Sequence, residues 1–185
     1  MAEVAFFDIL GVHFTNSKLE RDNRGSVYKY YQSEEAGSPS QAFQVDSLLV
    51  SSNIEIGTLR GMHFQGHPFQ EEKIITCISG KILDVIVDLR PNSSTFGDWS
   101  KIILDAEDPK AIYLPKGMAH GFQTLKSDTS VLYAISTRQV PKNSYVLSHA
   151  DPSVKIDWPL KVSSISKRDA EGLNFEQAVR ASVEA

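Results

Sequence analysis

The sequence predicts an all-β protein with a short helical tail, and three observations point there. Short runs rich in β-branched and aromatic residues recur along the chain. Turn signals separate them at Ser79-Gly80, Arg90-Pro91-Asn92-Ser93, Asp108-Pro109, Pro115-Lys116-Gly117 and Pro141-Lys142-Asn143. No long amphipathic period interrupts them before the C-terminus. Many short strands punctuated this way suit a sandwich or a jelly roll.

The expected strands, in order, are Val27–Tyr31, Phe43–Val50, Thr58–Gln65, Lys73–Ile78, Ile82–Leu89, Lys101–Leu104, Ala111–Leu114, Gly121–Leu125 and Val131–Thr137. Ile82–Leu89 is apolar on both parities apart from Asp84 and Asp88, which suits a strand covered on both faces. Ser33–Ser40 is polar and contains Gly and Pro, so it reads as an exposed loop. Ser166-Lys167-Arg168-Asp169 has the spacing of a capping box, with Asp in place of Glu, ahead of a short helix over Phe175–Val183. At 185 residues one domain is expected, spanning 1–185, with N-terminal strands in 1–50, a core barrel in 51–140 and a tail in 141–185.

Composition excludes several classes. Hydrophobic content of 41% and charged content of 23% are ordinary for a globular protein. The net charge of −4 disfavours a nucleic-acid partner, although a local cluster of Lys and Arg can still bind a small anion. Cys77 is the only cysteine, so no internal disulfide is expected. The opening residues lack a basic segment followed by an apolar one, so no signal peptide is expected. No run is long and apolar enough for a membrane helix, and a cytoplasmic location is the expectation.

Two segments carry the chemistry. One is Gly57-Thr-Leu-Arg-Gly-Met-His63-Phe-Gln65, followed by Lys73 and Gly80; the other is Pro115-Lys-Gly117-Met-Ala-His120. Their spacings resemble the paired strand motifs of the cupin superfamily, a jelly-roll fold. Metal-binding cupins carry a second histidine and a glutamate where this chain has Gln65 and Lys73. An ammonium has no lone pair and repels a divalent cation, so no metal is expected. A metal-free cavity lined by His, Lys and Tyr can move protons next to a carbonyl. Neutral imidazole is a general base near neutral pH, an ammonium can stabilise an enolate, and a phenol can return a proton. A neighbouring carboxylate would fix the imidazole tautomer.

The chain resembles the dTDP-4-dehydrorhamnose 3,5-epimerases and related sugar-nucleotide epimerases. The matching residues are Asp22-Asn-Arg24-Gly25, Thr58-Leu-Arg60-Gly-Met-His63-Phe-Gln65, Lys73, Asp84-Val-Ile-Val-Asp88-Leu-Arg90, Ser94-Thr-Phe-Gly97-x-Trp99, Leu114-Pro-x-Gly117-x-Ala-His120-Gly-Phe122, Leu132-Tyr133, and Asp151-Pro through Ile156-Asp-Trp158-Pro159. They run in one collinear order over roughly residues 20–170.

The resemblance implies that His63 is the base, Asp169 its partner, Tyr133 the acid and Lys73 the enolate-stabilising cation. It further implies that Arg60 meets the diphosphate and that Arg24 and His120 contact substrate. Arg168 stands where the family usually has Lys and keeps the positive charge. Three departures fall in the nucleotide-holding part: Lys29 in place of Glu, Leu48-Leu49-Val50 in place of a Gln-x-Asn pair, and Gln139 in place of an aromatic.

The resemblance thus implies a cofactor-free epimerase acting at C3, C5 or both of a nucleotide-linked 4-keto-6-deoxy sugar. It also implies a homodimer, and a product that supplies lipopolysaccharide, O-antigen, capsule or secondary-metabolite sugars. The alternatives are a single-centre 3- or 5-epimerase, a homologue that binds sugar nucleotides without turnover, and, least favoured, a metal-dependent cupin. Parity raises one structural question: Arg60 and His63 face opposite sides of a regular strand unless a bulge near Gly61 intervenes. His13, His67 and His149 carry no supporting pattern and read as surface residues.

Overall fold

The computed structural model describes residues 9–15, 18–31 and 43–184. The loop expected over Ser33–Ser40 lies outside them. Two five-stranded antiparallel sheets form the body. The first has the order β1 (His13–Phe14), β9 (Ala111–Leu114), β6 (Lys73–Ser79), β11 (Thr129–Ile135) and β4 (Ser47–Asn53). The second has the order β12 (Ser144–Val146), β5 (Leu59–Gln65), β10 (Met118–Thr124), β7 (Lys81–Asp88) and β8 (Trp99–Asp105). A separate hairpin joins β2 (Lys18–Asp22) to β3 (Gly25–Lys29). The architecture is the expected jelly roll.

The alternation along each strand decides which residues meet. Ile75, Cys77 and Val131 of the first sheet pack against Ile82, Ile86, Leu104 and Phe122 of the second. The other face of the second sheet is covered by the C-terminal tail: Met62, Phe64, Leu83, Val85 and Val87 meet Leu147, Val154 and Ala178, with Trp158 and Phe175 half-buried beside them. This explains why β7 is apolar on both parities. The outer face of the first sheet is covered by Phe43, Tyr30 and Tyr31 against Ile74 and Tyr113. Burial of these apolar faces is the main stabilising force.

The tail contains α1 (Lys167–Ala170) and α2 (Phe175–Val183). Helix α2 has the bounds expected from sequence, but its cap is different. Asn174 and Gln177 form its reciprocal capping box. Ser166 caps the separate four-residue α1 instead, its hydroxyl accepting from the Asp169 amide at 3.1 Å. Three strands were not anticipated. β1 and β12 are too short for alternation to register, and β2 reads Lys-Leu-Glu-Arg-Asp, with four charged residues of five. The first two expected strands also shift: pairing falls on Gly25–Lys29 and Ser47–Asn53 rather than on the more apolar windows beside them. Among the described residues no helix is long and apolar enough to cross a membrane.

The parity question is resolved in β5. His63 pairs with His120, yet Arg60 pairs with Phe122, so Gly61 and Met62 together oppose Gly121. The extra residue is a β-bulge, and it turns Arg60 and His63 toward one side. Gly61 has φ +116, and a Cβ there would lie 2.6 Å from both the Gly121 Cα and the His120 carbonyl oxygen. Only glycine satisfies both the torsion and the close approach.

Candidate active site

A cavity of about 520 Å³ opens between the two sheets, a size suited to a small organic ligand. Arg60, His63, Gln65 and His120 reach it from β5 and β10 of the second sheet. Lys73 and Tyr133 reach it from β6 and β11 of the first. Gln139, Arg138 and Arg168 line it from the segments that follow the barrel.

His63 is the more available of the two imidazoles in the cavity, with its side chain 40% exposed. Its Nε2 lies 2.9 Å from Asp169 Oδ1, and the Gly61 amide donates to Asp169 Oδ2 at 3.0 Å. With Nε2–H held by the carboxylate, Nδ1 keeps its lone pair for proton abstraction. Burial works to raise the pKa of Asp169, but hydrogen bonds from His63 and from the Gly61 amide outweigh it and hold the acid below its ordinary value. The carboxylate therefore stays charged and stabilises an imidazolium when one forms.

A second imidazole–carboxylate pair lies directly across the sheet. His120 Nε2 is 2.7 Å from Asp84 Oδ2, and both side chains are buried. Burial lowers the pKa of His120, and Lys73 and His63 push the same way against the opposing pull of Asp84. Burial raises the pKa of Asp84. This imidazole favours the neutral form and suits hydrogen bonding better than charge. Tyr133 stands edge-on to His120 with ring centroids 5.8 Å apart. Burial, with the nearby Asp84 charge second, raises its pKa well above the ordinary phenol value. The phenol is thus kept protonated, which suits a proton donor.

Lys73 is buried at the cavity floor. Its ammonium lies 3.0 Å from Glu71 Oε1 and 3.3 Å from the His63 carbonyl oxygen. Arg60, Arg138 and Arg168 add guanidinium groups to the lining. Arg60 Nε donates to Asn53 Oδ1 at 2.6 Å, and Arg168 donates to the Ser144 carbonyl and hydroxyl at 3.0 and 2.9 Å. Such a cluster is suited to a diphosphate. Gln65 is committed to structure. Its Oε1 accepts from the Val140 amide at 2.7 Å, and its Nε2 faces the Phe69 carbonyl at 3.1 Å and Glu71 at 3.0 Å. Among the described residues no three His, Cys, Asp or Glu side chains converge as metal ligands.

Of the residues singled out from sequence, Arg60, His63, Lys73, His120, Tyr133, Gln139 and Arg168 line this one cavity, and Asp169 stands directly behind His63. Arg24 and Lys29 do not line it. They sit on the β2–β3 hairpin, where Arg24 pairs with Asp22 and the neighbouring Tyr28 hydroxyl donates to the Pro109 carbonyl. The expected roles of Leu48 and Val50 are corrected by register. Leu49 opposes Tyr133 on β11, so Ser47, Leu49 and Ser51 face the cavity, whereas Leu48 and Val50 point outward and are 67% and 52% exposed. His13 and His149 are also not plain surface residues. His13 packs on Tyr113, and His149 is half-buried near Asp169.

Sequence reasoning passed over Glu71, Asp84 and Arg138 as site residues. For Glu71 the signal was its spacing of two from Lys73, which places both on one side of extended chain. For Asp84 it was an acid in the middle of an otherwise apolar stretch, opposite Phe122 and beside the His120–Ile86 pair. Arg138 carried no signal beyond its position after β11.

The model for the family described as dTDP-4-dehydrorhamnose 3,5-epimerase matches residues 7–177. A curated dTDP-4-dehydrorhamnose 3,5-epimerase from Mycobacterium tuberculosis is 35% identical over 182 residues, covering 95% of this chain and 88% of that one. A solved Mycobacterium tuberculosis epimerase superposes with a TM-score of 0.87 at 33% identity, covering 98% of this chain and 92% of that one. A 3′-monoepimerase from Streptomyces bikiniensis, solved in complex with dTDP-quinovose, superposes with a TM-score of 0.84 at 29% identity, covering 94% and 88%.

Proposed function

Because the chain belongs to the dTDP-4-dehydrorhamnose 3,5-epimerase family, we propose that it inverts C3, C5 or both of a nucleotide-linked 4-keto-6-deoxy sugar. His63 Nδ1 removes the proton alpha to the C4 ketone, and the electron pair of that C–H bond moves onto the ketone oxygen as an enolate. Asp169 stabilises the imidazolium. Lys73 donates to the enolate oxygen, a type of electrostatic stabilisation worth a factor of roughly 10²–10³ per donor in related oxyanion sites. Tyr133 then delivers a proton to the opposite face of the carbon; solvent accepts the proton held by the imidazolium and reprotonates the phenolate. Arg60 and Arg168 hold the diphosphate.

The observation that carries this reading is the placement of base and acid on opposite walls. His63 belongs to β5 of one sheet and Tyr133 to β11 of the other, with Lys73 beside them. Epimerisation requires proton removal and return on different faces, and a ligand between two sheets presents one face to each. The test is loss of the C3 and C5 proton signals in D2O. Purified protein is incubated with 4-keto-6-deoxy sugars carrying dTDP, UDP, CDP or GDP. Exchange that vanishes in His63→Ala supports the reading. Binding without exchange on every substrate overturns it in favour of a silent homologue. Exchange at one carbon alone makes the enzyme a single-centre epimerase, a reading supported by the similarity to the Streptomyces bikiniensis 3′-monoepimerase.

The working unit is proposed to be a homodimer in the cytoplasm. Among the described residues β4 is the edge of its sheet, and it exposes Leu48 and Val50. An apolar edge of this kind is normally covered. A second subunit would also give Arg24 and Lys29 a route to a cavity that their own chain's hairpin does not line. Light scattering of Leu48→Glu/Val50→Glu checks this: a monomeric variant beside a dimeric wild type is the expected result.

A further inference from the structure

The Glu71 carboxylate belongs to neither proton-transfer pair, yet it is buried against the cavity with its side chain only 12% exposed. One oxygen lies 3.0 Å from the Lys73 ammonium, and the other accepts from Gln65 Nε2 at 3.0 Å. Gln65 cannot turn its amide around, because its own Oε1 already accepts from the Val140 amide at 2.7 Å. The carboxylate is therefore fixed by a donor that is itself fixed. An ammonium has three hydrogens. Glu71 takes one and the His63 carbonyl takes a second at 3.3 Å. The third is left for the cavity.

We propose that Glu71 is a positioning residue that, anchored by Gln65, aims the remaining Lys73 N–H at the enolate oxygen of the substrate. The inference rests on the role given to Lys73 above. Lysine is a flexible chain with a compact charge, and an unheld ammonium loses much of its directional value. Glu71 supplies the constraint, and the backbone carbonyl of the catalytic histidine supplies a second fixed point. The geometry of Lys73 is thus referred to the same residue that performs the deprotonation.

Glu71→Gln is the discriminating substitution. Both Lys73 and Gln65 present donors to position 71. A carboxylate accepts from both, whereas an amide has one acceptor and must turn its NH₂ toward one of the two donors. The anchored relay breaks without a change of shape. With the nucleotide sugar that wild type turns over, Glu71→Gln is expected to lower kcat about tenfold and to change KM less than about threefold, because the lost alignment matters only once the enolate forms. Combined with Lys73→Met, it is expected to add no further loss, because its effect passes through Lys73. Lysine-selective ¹⁵N–¹H correlation gives a second readout that needs no substrate. A Lys73 ammonium signal held against exchange in wild type should broaden or vanish in Glu71→Gln.

An unchanged kcat together with an unchanged Lys73 signal overturns the proposal, as does a loss that adds in full to that of Lys73→Met. If wild type turns over no substrate, the epimerase reading fails while the ammonium signal still decides whether Glu71 holds Lys73. Should Glu71→Gln not fold, Glu71→Asp carries the test. It keeps the charge but withdraws it from Lys73, so a Lys73 signal as sharp as in wild type would overturn the proposal.

Discussion

Asp169 holds His63 with one carboxylate oxygen and the Gly61 amide with the other, at 2.9 and 3.0 Å. The proposed general base and the bulge that orients it are thereby tied to one side chain from the C-terminal tail. Asp169→Asn keeps the shape but presents an amide that can donate to Nε2, which moves the imidazole proton to Nδ1. The base is then in the wrong tautomer. Steady-state assays should show kcat reduced by roughly 10³–10⁴, as for other orienting carboxylates, with KM little altered. A kcat within threefold of wild type would rule out the dyad.

The same pair should be visible in acid stability. The folded-state pKa of Asp169 is lowered, so its contribution to stability is fully present above the ordinary value of 3.8 and is lost as pH falls through the folded-state value. Thermal melts of wild type and Asp169→Asn should therefore differ most above pH 4. The difference should shrink as the pH is lowered below 4. A gap that stays constant across this window would show that the Asp169 ionisation is not linked to folding.

Tyr133 lies on the wall opposite His63, and its loss should separate the two proton transfers. Tyr133→Phe leaves abstraction and return through His63 intact, so solvent deuterium should still enter the sugar with retained configuration. Formation of the inverted product should fall by roughly 10²–10⁴, the range of a general acid. Product analysis by NMR distinguishes the two signals. Equal loss of both would place Tyr133 in binding rather than proton delivery.

Gly61→Ala should be damaging because torsion and space both refuse a methyl group. The combined strain and overpacking should cost roughly 2–5 kcal/mol, which corresponds to a melting temperature lower by roughly 5–15 °C for a chain of this size. Differential scanning calorimetry tests this. Gly25→Ala is the control: it also has positive φ, but a Cβ there would meet nothing within 4 Å.

Much of this was legible in the sequence, for reasons that also explain the rest. β9 and α2 fall within their expected bounds because β-branched and aromatic composition in one case, and a helical period in the other, are local signals. The hairpin strand β2 was silent because Leu19, Glu20, Arg21 and Asp22 are all exposed, so no apolar face alternates with a polar one. The roles of Leu48 and Val50 were misassigned because facing depends on register, and a shift of one residue exchanges every side chain between cavity and solvent. β4 takes its register from pairing with β11, eighty residues away, which no local pattern encodes. Glu71 and Glu72 look alike in sequence, yet Glu72 hydrogen-bonds Tyr113 while Glu71 meets Lys73 in the cavity. Parity separates them: Glu71 shares a side with Lys73, two residues on, and Glu72 takes the other.

The extra residue in β5 also sets a length. Arg60 and His63 sit three residues apart on the same side of one strand, a span of no more than about 10 Å at the usual rise per residue. In the proposed roles, the guanidinium and the imidazole are two marks on a short ruler, one for the anion and one for the carbon that loses its proton. A sugar joined directly to its diphosphate spans them. A disaccharide carrier, or a free sugar with no anion to seat, does not. With those roles the bulge would select substrates by reach, whatever base the nucleotide carries.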